Sequence, residues 1–277
     1  MTPVWSPDGG RLAFVRTRKG TSTVSTVSAD GTGERILTPA SEQATLPAWS
    51  PDGRRLAFAS GREGGTQVAV IGADGRGRRL LTGPPGYSTA PVWSPDGRRI
   101  AFVARRGHPE PELYVMSGDG SDQTRLTREG VLLRPGVLHP VWLADGRRLA
   151  YVARVGRGEQ AFWVIDAAGS GPPQRISTGY APAWSPDGCR LAFVVARVGD
   201  AQIYVMNADG TGVRRLTPAG THLLPAWSPE GHWIAFLSIR GSDLALWVMR
   251  PDGTGARRLA EVSGDLSVLP IFSWRPK

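Results

Sequence analysis

The side chains of this chain that could do chemistry are four histidines, one cysteine and a recurring set of aspartates, and their spacing argues against catalysis. His108, His139, His222 and His232 stand far apart, with no H-E-x-x-H run and no cysteine pair, so no zinc set is written locally. If loops from distant repeats converge, His139 and His222 are the one pair suited to share a metal. No G-x-S-x-G elbow is present, which leaves serine-hydrolase chemistry without its nucleophile turn. The Asp-Gly-Thr-Gly strings lack the oxygen-ligand series closed by a glutamate that a calcium loop needs. They suit hairpin turns instead, because Asp-Gly supplies the positive φ of a tight connection. Cys189 is the single cysteine, which excludes an intramolecular disulfide and a cysteine-rich metal site. The expectation is a chain that is not an enzyme and carries no cofactor.

The elements that hold these residues repeat. Trp-Ser-Pro-Asp-Gly begins at Trp5, Trp49, Trp93 and Trp184, with variants at Trp142 and Trp227 and an unaccompanied Trp274. Each unit reads as four strands: an approach to the tryptophan, a Leu-Ala-Phe strand, a segment such as Ile203 to Met206, and Arg-Arg-Leu-Thr. One such meander cannot bury both of its faces alone, whereas radially arranged copies cover each other and leave only short outer edges. The pattern predicts an all-β, six-bladed β-propeller of four-stranded antiparallel blades, with residues 1–277 as a single domain. Seven first strands for six meanders predict that the strand around Phe272 to Trp274 replaces or competes with Met1 to Trp5 in the N-terminal blade.

Trp184-Ser185-Pro186-Asp187-Gly188, then Leu191-Ala192-Phe193, Ile203-Tyr204-Val205-Met206-Asn207-Ala208-Asp209-Gly210-Thr211-Gly212 and Arg215-Leu216-Thr217, resemble the TolB-type propeller repeat. Such repeats also build the non-catalytic propellers of prolyl-oligopeptidase-like peptidases. The resemblance covers essentially the whole chain. It departs mildly at Val24-Ser25-Thr26-Val27, where other units carry aromatics, and at Ala168, which stands in the Asp209 column. It implies a scaffold that binds a protein or peptide partner, is monomeric, and works in the periplasm or otherwise outside the cytoplasm, although no signal peptide is visible. Two other functions stay open: the substrate-gating propeller of a prolyl-oligopeptidase- or dipeptidyl-peptidase-like protein lacking its hydrolase domain, and a glycan-lyase-like propeller.

Strands that alternate direction place both Asp-Gly turns of a unit at one end, and the interval from tryptophan to second-strand aromatic is constant there. The links from Leu-Thr to the next tryptophan, at the other end, vary in length. Variable loops on a rigid sheet are where specificity belongs. The partner-binding candidates are therefore Glu42, Gln43, Tyr87, Arg134, His139, Tyr180 and His222, joined by Arg105, Arg106 and His108 from loops between second and third strands. A net charge of +9 first suggests nucleic acid. Many of the arginines, however, fall in two repeat columns beside turn carboxylates, so ion pairing at the uniform end accounts for much of the basicity and nucleic acid is set aside. No apolar run approaches the roughly 18 residues that cross a bilayer.

Overall fold

The computed structural model describes residues 3–62, 65–128, 130–131, 140–155, 159–197, 199–241 and 243–261. Two compact units are present. Of the described residues, one holds those up to Tyr151 together with Ile165–Pro173, and the other holds those of Val152–Val164 and from Gln174 onward.

In the first unit, β1 (Val4–Trp5), β2 (Arg11–Arg18), β3 (Thr21–Ser28) and β4 (Arg35–Ile36) make one sheet in chain order. The strands β5 (Thr45–Trp49), β6 (Arg55–Arg62), β7 (Gly65–Gly72) and β8 (Arg79–Leu80) repeat it. So do β9 (Tyr87–Trp93), β10 (Arg99–Arg105), β11 (Glu112–Ser117) and β12 (Thr124–Arg125). The boundary between units runs through the fourth repeat, whose strands are β13 (Val141–Trp142), β14 (Arg148–Val155), β15 (Glu159–Asp166) and β16 (Gln174–Thr178). In the second unit, β17 (Tyr180–Trp184), β18 (Arg190–Arg197), β19 (Asp200–Asn207) and β20 (Arg214–Arg215) form the fifth meander. The sixth is β21 (Thr221–Trp227), β22 (Ile234–Arg240), β23 (Asp243–Met249) and β24 (Arg257–Glu261). A single parallel bridge, Ala201 to Thr221, joins these last two into one sheet. The expected strand at Phe272 to Trp274 lies outside the described residues.

Each Trp-Ser-Pro-Asp-Gly turn is a closed hydrogen-bond set. Ser50 Oγ donates to Asp52 Oδ1 at 2.6 Å and accepts from the Arg55 amide at 2.9 Å, while the Arg54 amide donates to Asp52 Oδ1. Gly53 takes the positive φ, 66°, that closes the turn. The same bonds recur around Ser6, Ser94 and Ser185. The serine hydroxyl and then the backbone amide hold the carboxyls of Asp8, Asp52, Asp96 and Asp187 below the usual carboxylate value.

The repeats are joined through their tryptophans. Trp49 Nε1 donates to the Val4 carbonyl at 3.1 Å, Trp142 Nε1 to Val92 and Trp227 Nε1 to Ala183. On the ring faces lie arginines from the preceding repeat: Arg11 on Trp49, Arg55 on Trp93, Arg99 on Trp142 and Arg190 on Trp227, with guanidinium carbons 4.5–5.1 Å from the ring centres. Arg11 and Arg99 also donate to the turn carbonyls of Gly53 and Gly146. These arginines thus meet indoles and carbonyls, where ion pairs with turn carboxylates were expected. Arg148 instead pairs with Asp145 of its own turn, and Trp233 replaces the arginine in the sixth repeat, flanked by Arg250 and Arg257. Behind the indoles, Phe58, Phe102, Phe193 and Phe236 are buried with alanine, valine and leucine from adjacent repeats.

Opposite each of these phenylalanines the first strand bulges. Leu46-Pro47, Ala90-Pro91, Ala181-Pro182 and Leu224-Pro225 face Phe58, Phe102, Phe193 and Phe236 at a shift in register. Leu46, Ala90, Ala181 and Leu224 take φ of 47–53°, the left-handed region that β-carbons disfavour. The proline explains the position: it has no N–H to give the ladder, and a bulge is where none is required. The bend redirects the chain ahead of the tryptophan toward the variable loops.

Two measurements check this account. Arg99→Ala is expected to cost about 1–2 kcal/mol in urea unfolding, the sum of one cation–π contact and one hydrogen bond, with Arg99→Lys recovering less than half. For the combined Asp52→Asn, Asp96→Asn and Asp187→Asn variant, lowered folded-state values mean stabilisation that is full above the unfolded value and lost as pH falls through the folded one. The loss of melting temperature should therefore be largest near pH 7 and close below about pH 4.

Candidate functional site

In the third repeat the redirected first strand opens β9 with Tyr87, which pairs with Arg105 at the end of β10. Around them Gly65, Gly86, Gly107, His108 and Pro109 line an open depression of about 600 Å³. Its floor is backbone packed against backbone. A β-carbon on Gly86, whose φ is 93°, would sit 2.0 Å from the Arg105 carbonyl oxygen, and one on Gly65 2.6 Å from the Gly86 carbonyl oxygen. Gln67 Nε2 donates to that Gly86 carbonyl at 3.1 Å, and Gln67 Oε1 accepts from Thr82 Oγ1 at 2.8 Å, so the floor is fastened to the second repeat.

The side chains are held as firmly. Arg105 Nε donates to the His108 carbonyl at 3.1 Å, closing the turn between β10 and β11. Arg106 lies over the stacked rings of Phe102 and Tyr114 and donates to Gln123 Oε1 at 2.7 Å. Its burial lowers its basicity, which still leaves it a cation. His108 Nε2 meets Arg125 Nη1. Burial raises the Tyr87 phenol above its ordinary value, keeping it a hydrogen-bond donor.

The structure thus collects Tyr87, Arg105 and His108 around one depression and sets Arg106 beside it. Glu42 and Gln43 are elsewhere in the same unit. Glu42 ends the 3-10 turn Ala40–Glu42, is 1% exposed, and pairs with Arg78 and Ser60. Gln43 Oε1 accepts from the Ser22 amide, tying the second repeat to the first. In the second unit Tyr180 opens β17 and is 43% exposed, whereas His222 is 4% exposed, edge-on to Phe236, with neither ring nitrogen hydrogen-bonded among the described residues. That burial, and then Arg240, push His222 toward its neutral form, while Asp200 opposes them. Arg134 and His139 lie outside the described residues. Among the described residues, no group of three or more His, Cys, Asp or Glu could hold a metal ion. No described helix is long and apolar enough to cross a membrane.

Two signals went unread in the sequence. Five residues before Trp49, Trp93, Trp184 and Trp227 stand Ala44, Ser88, Gly179 and His222, all buried, so the three small residues already marked that column as interior. Thirteen residues after the tryptophan stand Arg18, Arg62, Arg106, Arg197 and Arg240, a third arginine column at the ends of the second strands and hence at the variable-loop end.

Four-stranded antiparallel meanders with inter-repeat tryptophans define a β-propeller. The chain belongs to the TolB beta propeller domain family, whose model matches residues 1–172 and 134–276. Among solved structures, TolB from Acinetobacter baumannii shares the fold at a TM-score of 0.65 and 23% identity, over 89% of this chain and 62% of that one. A puromycin-hydrolyzing peptidase of Mycobacterium tuberculosis matches at 0.67 and 19%, over 94% of this chain and 48% of that one. An oligogalacturonate lyase in complex with manganese matches at 0.63 and 16%, over 95% and 74%. The chain thus spans less than two thirds of the length of the first two.

The depression's dependence on glycine is directly testable. Gly86→Ala is expected to cost about 2 kcal/mol or more in chemical unfolding, from left-handed strain plus backbone overlap, whereas Gly107→Ala, with φ of 72° and open space around it, should cost about 1 kcal/mol.

Proposed function

We propose that this chain is a non-catalytic propeller domain, formed by residues 1–277 together, that holds a protein or peptide partner through its variable loops, outside the cytoplasm. The observation that carries this reading is the depression in the third repeat. Tyr87, Arg105 and His108, all on variable-end segments, converge there on a backbone fixed by the sheet and by Gln67. A preorganised aromatic and arginine pair on a rigid frame binds at low entropic cost, and such residues dominate binding energy at protein interfaces. In the second unit, Tyr180 is likewise an exposed aromatic at the start of a first strand. A second reading, a substrate-gating domain of a peptidase-like protein, is favoured by the likeness to the M. tuberculosis peptidase, of whose chain this one spans 48%.

Photo-crosslinking tests the proposal. Benzoylphenylalanine replaces either Pro109, at the depression, or Pro95, in the turn at the opposite end of the same sheet; both positions are exposed. A discrete adduct is expected at position 109 that Arg105→Glu removes, with none at 95. Equal adducts at both positions, or indifference to Arg105→Glu, refute it. An adduct whose mass is a hydrolase domain decides for the gating reading.

A further inference from the structure

We infer that the third-repeat depression is a receptor for a single carboxylate, presented by an acidic segment of a polypeptide. This rests on the binding-module reading and specifies its chemistry. Arg105 is exposed, and its Nε is spent on the His108 carbonyl, which sets the plane of the guanidinium. Its two terminal nitrogens have no partner among the described residues. They form a fixed fork of the geometry that grips a carboxylate by two parallel bonds. His108, also in the lining, brings an imidazole whose N–H can serve as a second donor. Tyr87, another lining residue, brings a phenol that can be a third. Side-chain donors thus outnumber acceptors, which is the composition of an anion site.

One negative charge fits better than two. The neighbouring cations are already committed: Arg106 to Phe102, Tyr114 and Gln123, and Arg125 to His108. Glu110, exposed next to Pro109, acts on Tyr87 as a nearby negative charge and opposes a dianion. The side chain of a glutamate or aspartate, or a chain-terminal carboxylate, supplies one planar charge; a phosphate monoester supplies nearly two.

Titration of the full chain with three short peptides, followed by NMR at the Gly107 and His108 amides, decides it. The probes are acetyl-Gly-Glu-Phe-Gly-amide, its Gln counterpart, and acetyl-Gly-Phe-Gly with a free C-terminus. Saturable shifts are expected with the Glu peptide and about tenfold weaker binding of the Gln peptide. Binding of the third probe as tight as the Glu peptide assigns the site to a chain terminus, and weaker binding assigns it to an acidic side chain; both support a carboxylate site. Arg105→Gln should abolish the difference between Glu and Gln, and Arg105→Lys should restore only part of it. Because Arg105 also closes a turn, Glu110→Gln provides an independent variant at an exposed position, expected to tighten the Glu peptide about two- to threefold. Equal affinity for Glu and Gln peptides, an unchanged difference in Arg105→Gln, or displacement by inorganic phosphate more readily than by acetate overturns the inference. Crosslinking at position 109 is scored separately, so a partner captured without acid discrimination leaves the binding-module reading standing and removes only the carboxylate assignment.

Discussion

Everything in this fold depends on how one meander is attached to the next, and that attachment is an indole. A four-stranded sheet this small exposes apolar surface on both faces and has no stability of its own. Trp49, Trp142 and Trp227 each donate to a carbonyl of the preceding first strand, and these three and Trp93 receive the preceding repeat's arginine on their faces. A large hydrophobic body with one polar handle suits an interface that must be both dry and in register. Outer-column arginines extend the tie, since Arg35 reaches the Asp74 carbonyl and Arg214 the carbonyls of Asp252 and Pro251. Arg11, Arg35, Arg55, Arg99, Arg190 and Arg214 are therefore spent in joining repeats, and the guanidiniums that matter for recognition are among those left over.

The bulge ahead of Trp49, Trp93, Trp184 and Trp227 divides the labour between the two ends of a sheet. On one side of it the ladder is regular and the turns repeat almost without variation. Beyond it lie the residues that differ between repeats. In the second repeat this end closes on itself, with Glu42 buried against Arg78 and Ser60. In the third it opens around Tyr87 and Arg105, because Gly86 lets the chain pass against the Arg105 carbonyl where a side chain would block it. In the sixth, His222 fills a position that is Ala, Ser or Gly in the second, third and fifth repeats. One backbone plan thus yields a salt-bridged end, a depression and a packed aromatic column, according to a few side chains.

The architecture was legible because it is local. Trp-Ser-Pro-Asp-Gly specifies a turn through a serine, an aspartate and a glycine that bond within a few residues of one another, and six recurrences of such a pattern leave few folds available. Tyr87, Arg105 and His108 were legible as variable-loop residues, although nothing in their separation announced that they would meet. Glu42 and His222 read as surface residues because polarity is a poor guide where a neighbouring strand supplies the burial. The arginine column at the second-strand ends was present in the spacing and became meaningful only with the strand ends in view.

The sequence by itself determined the repeat, its strand order and its turns, since these follow from short-range hydrogen bonding, proline's missing donor and the freedom of glycine at positive φ. Tertiary structure alone decided which polar side chains are spent and which remain available. Whether an arginine lies on an indole, on a carbonyl or at the rim of a depression depends on what the next sheet places opposite it, and that neighbour is some forty residues away in the chain.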